Sequence, residues 1–210
     1  MVVGLDFAFS LPAWFLEQRG LGSAHELWAL ADREAEGWLA ACLPPFWGRG
    51  RTPRPEQVHF RRTELDVPVT AGIRPKSVFQ IGGAGAVGTG SLRGMRLLHR
   101  LSEAGFSVWP FDPPGWPRVV EIYPRLLTGP VNKSSADGRA ACLAAEHPGL
   151  AGELLWLAAS SEDAFDAAVS ALVMAEHLDE LGALEPASDR VAGLEGLIWH
   201  PQCRTRPPNG

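Results

Sequence analysis

Short apolar segments alternate along this chain with longer segments of helical periodicity. Nearly continuous apolar runs at residues 2–5 and 119–122 are typical of buried strands. In two segments between them, 25–43 and 91–104, apolar residues recur every three or four positions, as on one face of a helix. Because strands that alternate with helices pack in layers, this pattern predicts an α/β fold with helices on a central sheet.

The remaining predicted elements continue this alternation. They are strands at 77–81, 106–111 and 196–199, and helices at 14–20, 134–145 and 163–181. Ser160 or Ser161 can cap the last helix, and Asp163 lies in its first turn, where a carboxylate suits the helix dipole. Neither an internal repeat nor a domain boundary is evident. We therefore expect a single domain over 1–200, followed by a flexible tail at 201–210.

The charge balance restricts the class of partner. The 210 residues include 19 Lys+Arg and 24 Asp+Glu, which gives a formal net charge of −5. This argues against a polybasic nucleic-acid binder, because neutralising phosphates requires an excess of Lys and Arg. It leaves open a nucleic-acid enzyme that combines a local basic rim with an acidic metal centre.

Residues 44–76 form an insertion that is rich in Pro, Gly and Arg and has no clear period. Long loops in compact domains are often functional. The arginines of this insertion, among them Arg61 and Arg62, concentrate positive charge. Two interpretations stay open: a solvated surface loop, or an arm that contacts the phosphates of a nucleic acid.

The cysteines and the hydropathy pattern bear on location. Cys42, Cys142 and Cys203 are too few and too far apart for a disulfide framework or a CxxC metal site. Three free thiols favour the reducing cytoplasm. No segment approaches the ~18–20 apolar residues of a membrane span, and the N-terminus lacks a signal-peptide pattern. We therefore expect a cytoplasmic protein with no membrane partner.

Residues 83–88 form a literal GxGxxG pattern, with Gly83, Gly85 and Gly88, between a predicted strand and a predicted helix. Glycines in that position let a pyrophosphate approach backbone N–H groups at a helix N-terminus. The apolar period of the helix begins later than this fingerprint requires, however, and Asp112 is followed by Pro-Pro-Gly-Trp-Pro. A glycine loop that closes a different active site, and simple turn chemistry, are therefore alternatives to a dinucleotide site.

Four carboxylates occupy positions that catalysis can use. Asp6 ends the first strand, and Glu121 lies inside another, where a charge is costly unless it is offset. Asp163 and Asp166 are three positions apart and share one helix face. Together the four can bind two divalent cations, which stabilise both reacting oxygens in phosphodiester cleavage. Singly, each has a structural interpretation: a helix-dipole contact for Asp163, an arginine partner for Glu121, a turn for Asp6.

Six segments of the chain, in order and over nearly its whole length, resemble the prokaryotic family described as predicted RNase H-like nucleases. They are VGLDFAFSLP, KSVFQIGGAGAVGTGSLRGM, VWPFD, VVEIYPRLLTGPVNKS, SEDAFDAAVSALVMA and EGLIWHP. The most specific are the E-x-Y-P strand around Glu121 and the acidic helix start at 162–167. The resemblance implies an RNase H-like three-layer sandwich, with a mixed central sheet and helices on both faces.

The resemblance also implies a metal-dependent nuclease site. Carried over by motif, the catalytic residues and the ligands of Mg²⁺ or Mn²⁺ are Asp6, Glu121, Asp163 and Asp166. Lys133 and Arg139 match a basic segment that can meet phosphate. With the glycine loop and the insertion included, the predicted substrate contacts are Lys133, Arg139, Gly83, Gly85, Gly88, Arg61 and Arg62.

The chain departs from the family pattern near its first residues. RNase H-like domains usually open with a three-strand meander whose first strand bears an essential Asp. Here Ser10-Leu11-Pro12 and helices follow Asp6 at once, so Asp6 matches the second acidic strand of the family and the meander is missing. The chain is either shortened at its N-terminus or belongs to a branch that lost this part. A sheet without the meander exposes an edge, and we expect a homodimer through that edge.

Three functions follow from these patterns. The leading one is a Mg²⁺- or Mn²⁺-dependent nuclease-like phosphodiesterase that acts on nucleic acid. The second is a catalytically degenerate RNase H-like module that binds nucleic acid or a protein without turnover. The third is a nucleotide-binding enzyme that uses the loop from Gly83 to Gly88.

Overall fold

The computed structural model describes residues 1–50, 52–70, 72–150 and 152–201. Four short strands form one sheet: β1 (Val2–Leu5), β2 (Ser107–Val108), β3 (Arg118–Ile122) and β4 (Ile198–Trp199). β1 pairs with β3 from Val2 opposite Arg118 to Leu5 opposite Glu121. β2 and β4 pair with successive parts of β3, and because β1 occupies one edge of β3, both lie along the other edge.

Ten helices surround this sheet in the described part of the chain. They are α1 (Ala13–Glu17), α2 (Ala24–Ala41), α3 (Arg62–Asp66), α4 (Gly88–Glu103), α5 (Pro124–Thr128), α6 (Ala136–Glu146), α7 (Gly152–Ala159), α8 (Glu162–Glu176), α9 (Leu178–Gly182) and α10 (Arg190–Glu195). Side-chain caps begin several of them, as the sequence predicts. The Ser161 hydroxyl accepts the N–H of Ala164 and thereby caps α8.

The alternation of side chains along β3 divides the core into two layers. Val119 packs into one apolar cluster, which contains Leu27 of α2 and Leu98 of α4. Val120 and Ile122 point to the opposite face and pack into a second cluster with Met174 of α8. Helices therefore pack on both faces of the sheet, and the predicted α/β class is confirmed.

Close packing between β1 and α8 depends on a glycine. A Cβ atom on Gly4 would lie 2.7 Å from the sulfur of Met174 and 3.0 Å from Cδ1 of Ile122. The missing side chain thus lets α8 lie against the strand that ends at Asp6. The small residues Ala167 and Ser170 on the same helix line a groove of about 400 Å³ beside this contact.

The sheet is parallel rather than mixed in every pair between its described strands. The strand predicted at 77–81 is wrong, because the Ser77 hydroxyl accepts the N–H of Phe79 and folds this segment into a turn. The side chain of Phe79 is then buried against Phe15 and Phe46 in an aromatic cluster.

The helix predicted over 163–181 ends as α8 at Glu176 and is followed by the separate helix α9.

The insertion predicted at 44–76 contains α3, and it is tied to the rest of the fold by a bridge between Trp47 and Gln80. The residues of the predicted tail after Pro201 lie outside the described residues. Helical periodicity did not predict α5, α7 and α10, because each of these helices is eight residues or shorter.

Candidate functional site

The carboxyl ends of β1, β3 and β4 meet at one edge of the sheet, as parallel strands require. Asp6 follows β1 directly and Tyr123 follows β3. A pocket of about 290 Å³, here called the strand-end pocket, opens at this edge. Its lining includes Asp6, Phe7, Lys76, Val87, Tyr123 and Ile198. Ligands of open parallel sheets bind at this kind of position, so the pocket is the first candidate for a functional site.

Three hydrogen bonds hold the loop that follows Asp6. The N–H of Ala8 donates to the Ser91 hydroxyl of α4 at 3.1 Å. The N–H of Phe9 donates to Oε2 of Glu121 at 2.8 Å. The Ser10 hydroxyl donates to the carbonyl oxygen of Leu194 at 2.6 Å. Because α4, β3 and α10 all bind this loop, the backbone next to Asp6 is held in a fixed position.

Asp6 lies in a concentration of negative charge. Its side chain still reaches solvent at the pocket rim, but surrounding protein groups partly bury it. Burial and the nearby charges of Asp166, Glu121 and Asp163 raise the pKa of Asp6 to about 6, against the lowering effect of Lys133. The fold therefore brings the other three carboxylates predicted from the sequence within electrostatic reach of Asp6.

Asp166 has one oxygen in an ion pair and one without a partner. Nζ of Lys133 lies 2.5 Å from Oδ2 of Asp166. The other oxygen, Oδ1, is buried and accepts no hydrogen bond in the described part of the chain. Asp163 lies one helical turn earlier and is exposed. Lys133 is thus the protein's own counter-charge at the cluster formed by Asp6, Asp163 and Asp166, here called the aspartate cluster.

Arg139 positions Lys133. Arg139 is buried, and its Nε donates to the carbonyl oxygen of Ala159 at 2.9 Å. One of its terminal nitrogens donates to the carbonyl oxygen of Lys133 at 2.5 Å. The guanidinium therefore ties the Lys133 loop to the end of α7. Its predicted contact with phosphate would require these bonds to open.

Glu121 is paired with an arginine, the structural interpretation that its sequence position left open. Both residues are almost fully buried, and the guanidinium of Arg61 contacts both carboxylate oxygens of Glu121. Nε of Arg61 also donates to Oε1 of Glu64 at 3.0 Å. Burial opposes the charge of Arg61, but Glu121 and Glu64 outweigh that effect and raise its pKa. The structure thus places Glu121 beside the aspartate cluster with both of its carboxylate oxygens already bound to Arg61.

Arg61 and Arg62, the two arginines of the insertion predicted to contact substrate, both bind groups of the protein itself. Arg61 is buried beneath the strand-end pocket, as described. Arg62 donates to both oxygens of Asp189, at 2.7 and 2.6 Å, and its N–H donates to Glu195. These contacts attach α3 to α10, so both residues join the insertion to the fold.

The glycine loop makes a tight turn into α4. Gly83 and Gly85 have positive φ angles, and a Cβ on Gly88 would lie 2.2 Å from the carbonyl oxygen of Val78. The segment before the loop is not a strand of the sheet, so the loop lacks the βαβ setting of a dinucleotide site. Its residues reach the strand-end pocket only at the start of α4, through Ala86, Val87 and Gly90.

Two polar residues of the pocket were not predicted as site residues. Lys76 is exposed at the rim, and Tyr123 follows the strand that carries Glu121. Burial raises the pKa of Tyr123, Arg125 lowers it, and Asp6 and Asp166 raise it further. The position of Tyr123 at a strand end was the available signal. Lys76 had none, because it is the last residue of the insertion predicted at 44–76, which has no clear period.

The four carboxylates do not form a compact metal cage. Across residues 1–50, 52–70, 72–150 and 152–201, no three His, Cys, Asp or Glu side chains are grouped closely enough to hold a metal ion. Two contacts account for this: Glu121 is turned toward Arg61, and Lys133 covers one oxygen of Asp166. The unpartnered Oδ1 of Asp166 and the crowded carboxyl of Asp6 are the groups that fit a divalent cation.

Three further findings concern the cysteines, the helices and the comparison with known proteins. Cys42 and Cys142 are free thiols. No described helix has both the length and the apolar character needed to cross a membrane. Comparison with protein-family models, with curated proteins and with solved structures finds no match for this chain.

Proposed function

We propose that this protein is a Mg²⁺- or Mn²⁺-dependent phosphodiesterase that cleaves nucleic acid at the aspartate cluster. The observation that carries the proposal is the environment of Asp6, whose pKa is raised to about 6 by burial and by the charges of Asp166, Glu121 and Asp163. A divalent cation relieves this repulsion, and carboxylate oxygens are the ligands that Mg²⁺ prefers. Helices lie on both faces of the sheet, and carboxylates lie at the ends of its strands. These two features support an RNase H-like interpretation of the fold.

Asp6 and Asp166 are the residues that would hold the cation, and the exposed side chain of Asp163, one helical turn earlier on α8, would have to move toward them to complete the set. Glu121 is less suited, because Arg61 and the N–H of Phe9 already occupy its oxygens. The set therefore fits one cation better than two. When bound, Mg²⁺ or Mn²⁺ supplies positive charge at the phosphoryl oxygens and lowers the pKa of water.

The side chains around the cluster have separable roles. The Asp6 carboxyl has a pKa of about 6 without a cation, and a bound cation would lower that pKa and keep the carboxylate ionised as a ligand. Lys133 can neutralise a phosphate that approaches Asp166, since its ammonium group is already at that carboxylate. Arg139 and the bonds of the loop after β1 position these groups. Glu121 and Arg61 support the loop from below.

The proposal is tested by incubating the protein with single-stranded, hybrid and branched nucleic acids in Mg²⁺ or Mn²⁺. We expect cleavage that chelation abolishes and that Asp166→Asn reduces by about 100-fold or more. No cleavage by the parent protein with either metal, or unchanged cleavage by Asp166→Asn, contradicts the proposal.

The ion pairs favour a second candidate, a module that binds nucleic acid without turnover. Two of the four carboxylates, Glu121 and Asp166, already have cationic partners inside the protein. A site that balances its own charge does not need a metal. Binding that weakens with rising salt, without cleavage in any metal, would favour this candidate over the enzyme.

We also propose a homodimer through the outer edge of β1, and a cytoplasmic location in keeping with the free thiols Cys42 and Cys142. Among the described residues, β1 pairs only with β3. Its other edge borders the groove that Gly4, Ser170 and Met174 line. An edge strand with unpaired N–H and C=O groups is a template for a strand from a second copy.

A further inference from the structure

The strand-end pocket is small and has a largely apolar wall. Its volume of about 290 Å³ lies at the lower limit of the roughly 300–1,000 Å³ that small-molecule pockets span. Apolar side chains form much of its wall, namely Phe7, Pro75, Val87, Ile122 and Ile198. The pocket therefore has room for a single planar heterocycle and excludes a stacked base pair.

The wall formed by Phe7 is held in place. A Cβ on Gly94 would lie 2.4–2.6 Å from atoms of the Phe7 ring, so the ring packs directly on α4 at the glycine. The next residue, Ala8, is bound to Ser91 of the same helix. A pocket wall fixed in this way need not reorganise when a ligand enters, which lowers the cost of binding.

The polar groups of the pocket are of two kinds. Glu64 and Glu121 are buried and both bind the buried Arg61, so the polar atoms of these three side chains are already engaged within the protein. The ammonium group of Lys76 and the hydroxyl of Tyr123 have no protein hydrogen-bond partner among the described residues. Two polar groups around an apolar slot are therefore available to a ligand.

Asp6 joins this pocket to the aspartate cluster. It lines the strand-end pocket and is electrostatically coupled to Asp163, Asp166 and Lys133. A ligand that fills the pocket and also reaches a cation held at the cluster would carry an apolar ring close to an anionic group. A nucleotide has this layout, because only the sugar separates its base from its phosphate.

We propose that the strand-end pocket receives one unpaired nucleobase, and that the substrate class is single-stranded nucleic acid. This inference rests on the proposed phosphodiesterase function, since it places the phosphate of the same nucleotide at the aspartate cluster. A base inside a duplex is stacked on both sides and cannot enter the slot without the cost of unstacking. Intact duplex is therefore a poor ligand.

The test measures binding in Ca²⁺, a cation that carboxylates can hold at the aspartate cluster, and each probe is checked to be uncleaved after the measurement. The probes are a fluorescein-labelled oligothymidylate of about 15 nucleotides and a blunt duplex of the same length, followed by anisotropy. We expect the single strand to bind at least about tenfold more tightly than the duplex. Val87→Trp fills the pocket and should weaken single-strand binding about tenfold. The control is Leu97→Trp, at an exposed position of α4 outside the pocket, which should bind like the parent.

A second pair of variants keeps the test valid if Val87→Trp unfolds. Lys76→Glu reverses an exposed charge at the pocket rim, and Arg33→Glu makes the same change on an exposed part of α2. The first should weaken single-strand binding at least about fivefold more than the second. Equal binding of duplex and single strand, or equal effects of pocket and control variants, overturns the inference. If the protein binds as expected but never cleaves, the phosphodiesterase proposal fails while base binding stands.

Discussion

Lys133 and Asp166 are 33 positions apart in the chain, yet the ammonium group of one lies 2.5 Å from a carboxylate oxygen of the other. The contact joins the loop before α6 to the first turns of α8. It occupies one oxygen of Asp166 and leaves the other buried without a partner. In this arrangement an internal cation and an external one compete for the same carboxylate.

Removing that internal cation should therefore separate metal binding from substrate binding. In Lys133→Met, the competing ammonium is lost, so we expect tighter Mn²⁺ binding by calorimetry. The same variant should bind oligonucleotides more weakly, because a phosphate-neutralising charge is also lost. Reduced affinity for both would show that Lys133 supports the fold of the site rather than competing with the metal. The oligonucleotide measurement is made in EDTA to keep the two effects independent.

The titration of Asp6 should appear in the stability of the protein. Its pKa is about 6 in the folded state against an ordinary value of 3.8. Between about pH 4 and pH 6 the folded state therefore holds a proton that the unfolded chain has released, and stability falls as pH rises through this window. We expect Asp6→Asn to melt at a higher temperature than the parent above about pH 6, with the difference shrinking toward about pH 4.

The control for the Asp6 melts is Asp137→Asn, at an exposed position in the first turn of α6. This variant should keep the pH profile of the parent. Identical profiles for the parent and Asp6→Asn would contradict the crowded environment assigned to Asp6.

Loss of the buried Arg61–Glu121 pair should cost stability. Glu121→Gln leaves the guanidinium of Arg61 buried with only Glu64 as an ionic partner, and the expected loss is about 3 kcal/mol in urea unfolding. Glu36→Gln breaks a pair of exposed residues with Arg93 and should leave the unfolding midpoint unchanged. An unchanged midpoint for Glu121→Gln would mean that the carboxylate is free to serve as a metal ligand.

The proposed homodimer can be tested at the groove beside β1. Ala171→Glu places a charge on an exposed residue that lines this groove, and we expect it to shift the protein to monomer in sedimentation velocity. Ala140→Glu makes the same change at an exposed position of α6 and should leave the dimer intact. A parent protein that is monomeric at all concentrations rules out the dimer.

The parts of the fold that follow a local rule were predictable from the sequence. The apolar runs predicted β1 and β3, and helical periodicity predicted α2 and α4. The parallel order of strands explains why Asp6 and Tyr123 meet at one edge. The spacing of three placed Asp163 and Asp166 together on α8. Each of these depends on residues close in sequence or on a general rule of sheets.

The partners of buried charges were not predictable in this way. The position of Glu121 indicated that burying its charge costs free energy, since a carboxylate in an apolar strand needs a compensating partner. Nothing local identified Arg61, which lies 60 positions earlier in a segment without periodicity. The same limit applies to the turn at Ser77, where a side-chain hydrogen bond outweighs the β propensity of the apolar residues that follow. Long-range pairing decided which predicted carboxylates kept a free oxygen.

The central claim, that the aspartate cluster cleaves phosphodiesters with a divalent metal, is tested most directly by two matched variants. Asp163→Asn and Asp137→Asn each remove an exposed carboxylate from the first turn of a helix, so their effects on helix stability are comparable. Cleavage of a labelled single strand in Mn²⁺ is measured for both and for the parent protein. We predict that Asp163→Asn loses about 100-fold or more in rate while Asp137→Asn cleaves like the parent. Equal rates for the two variants, or no metal-dependent cleavage by the parent, would contradict the claim.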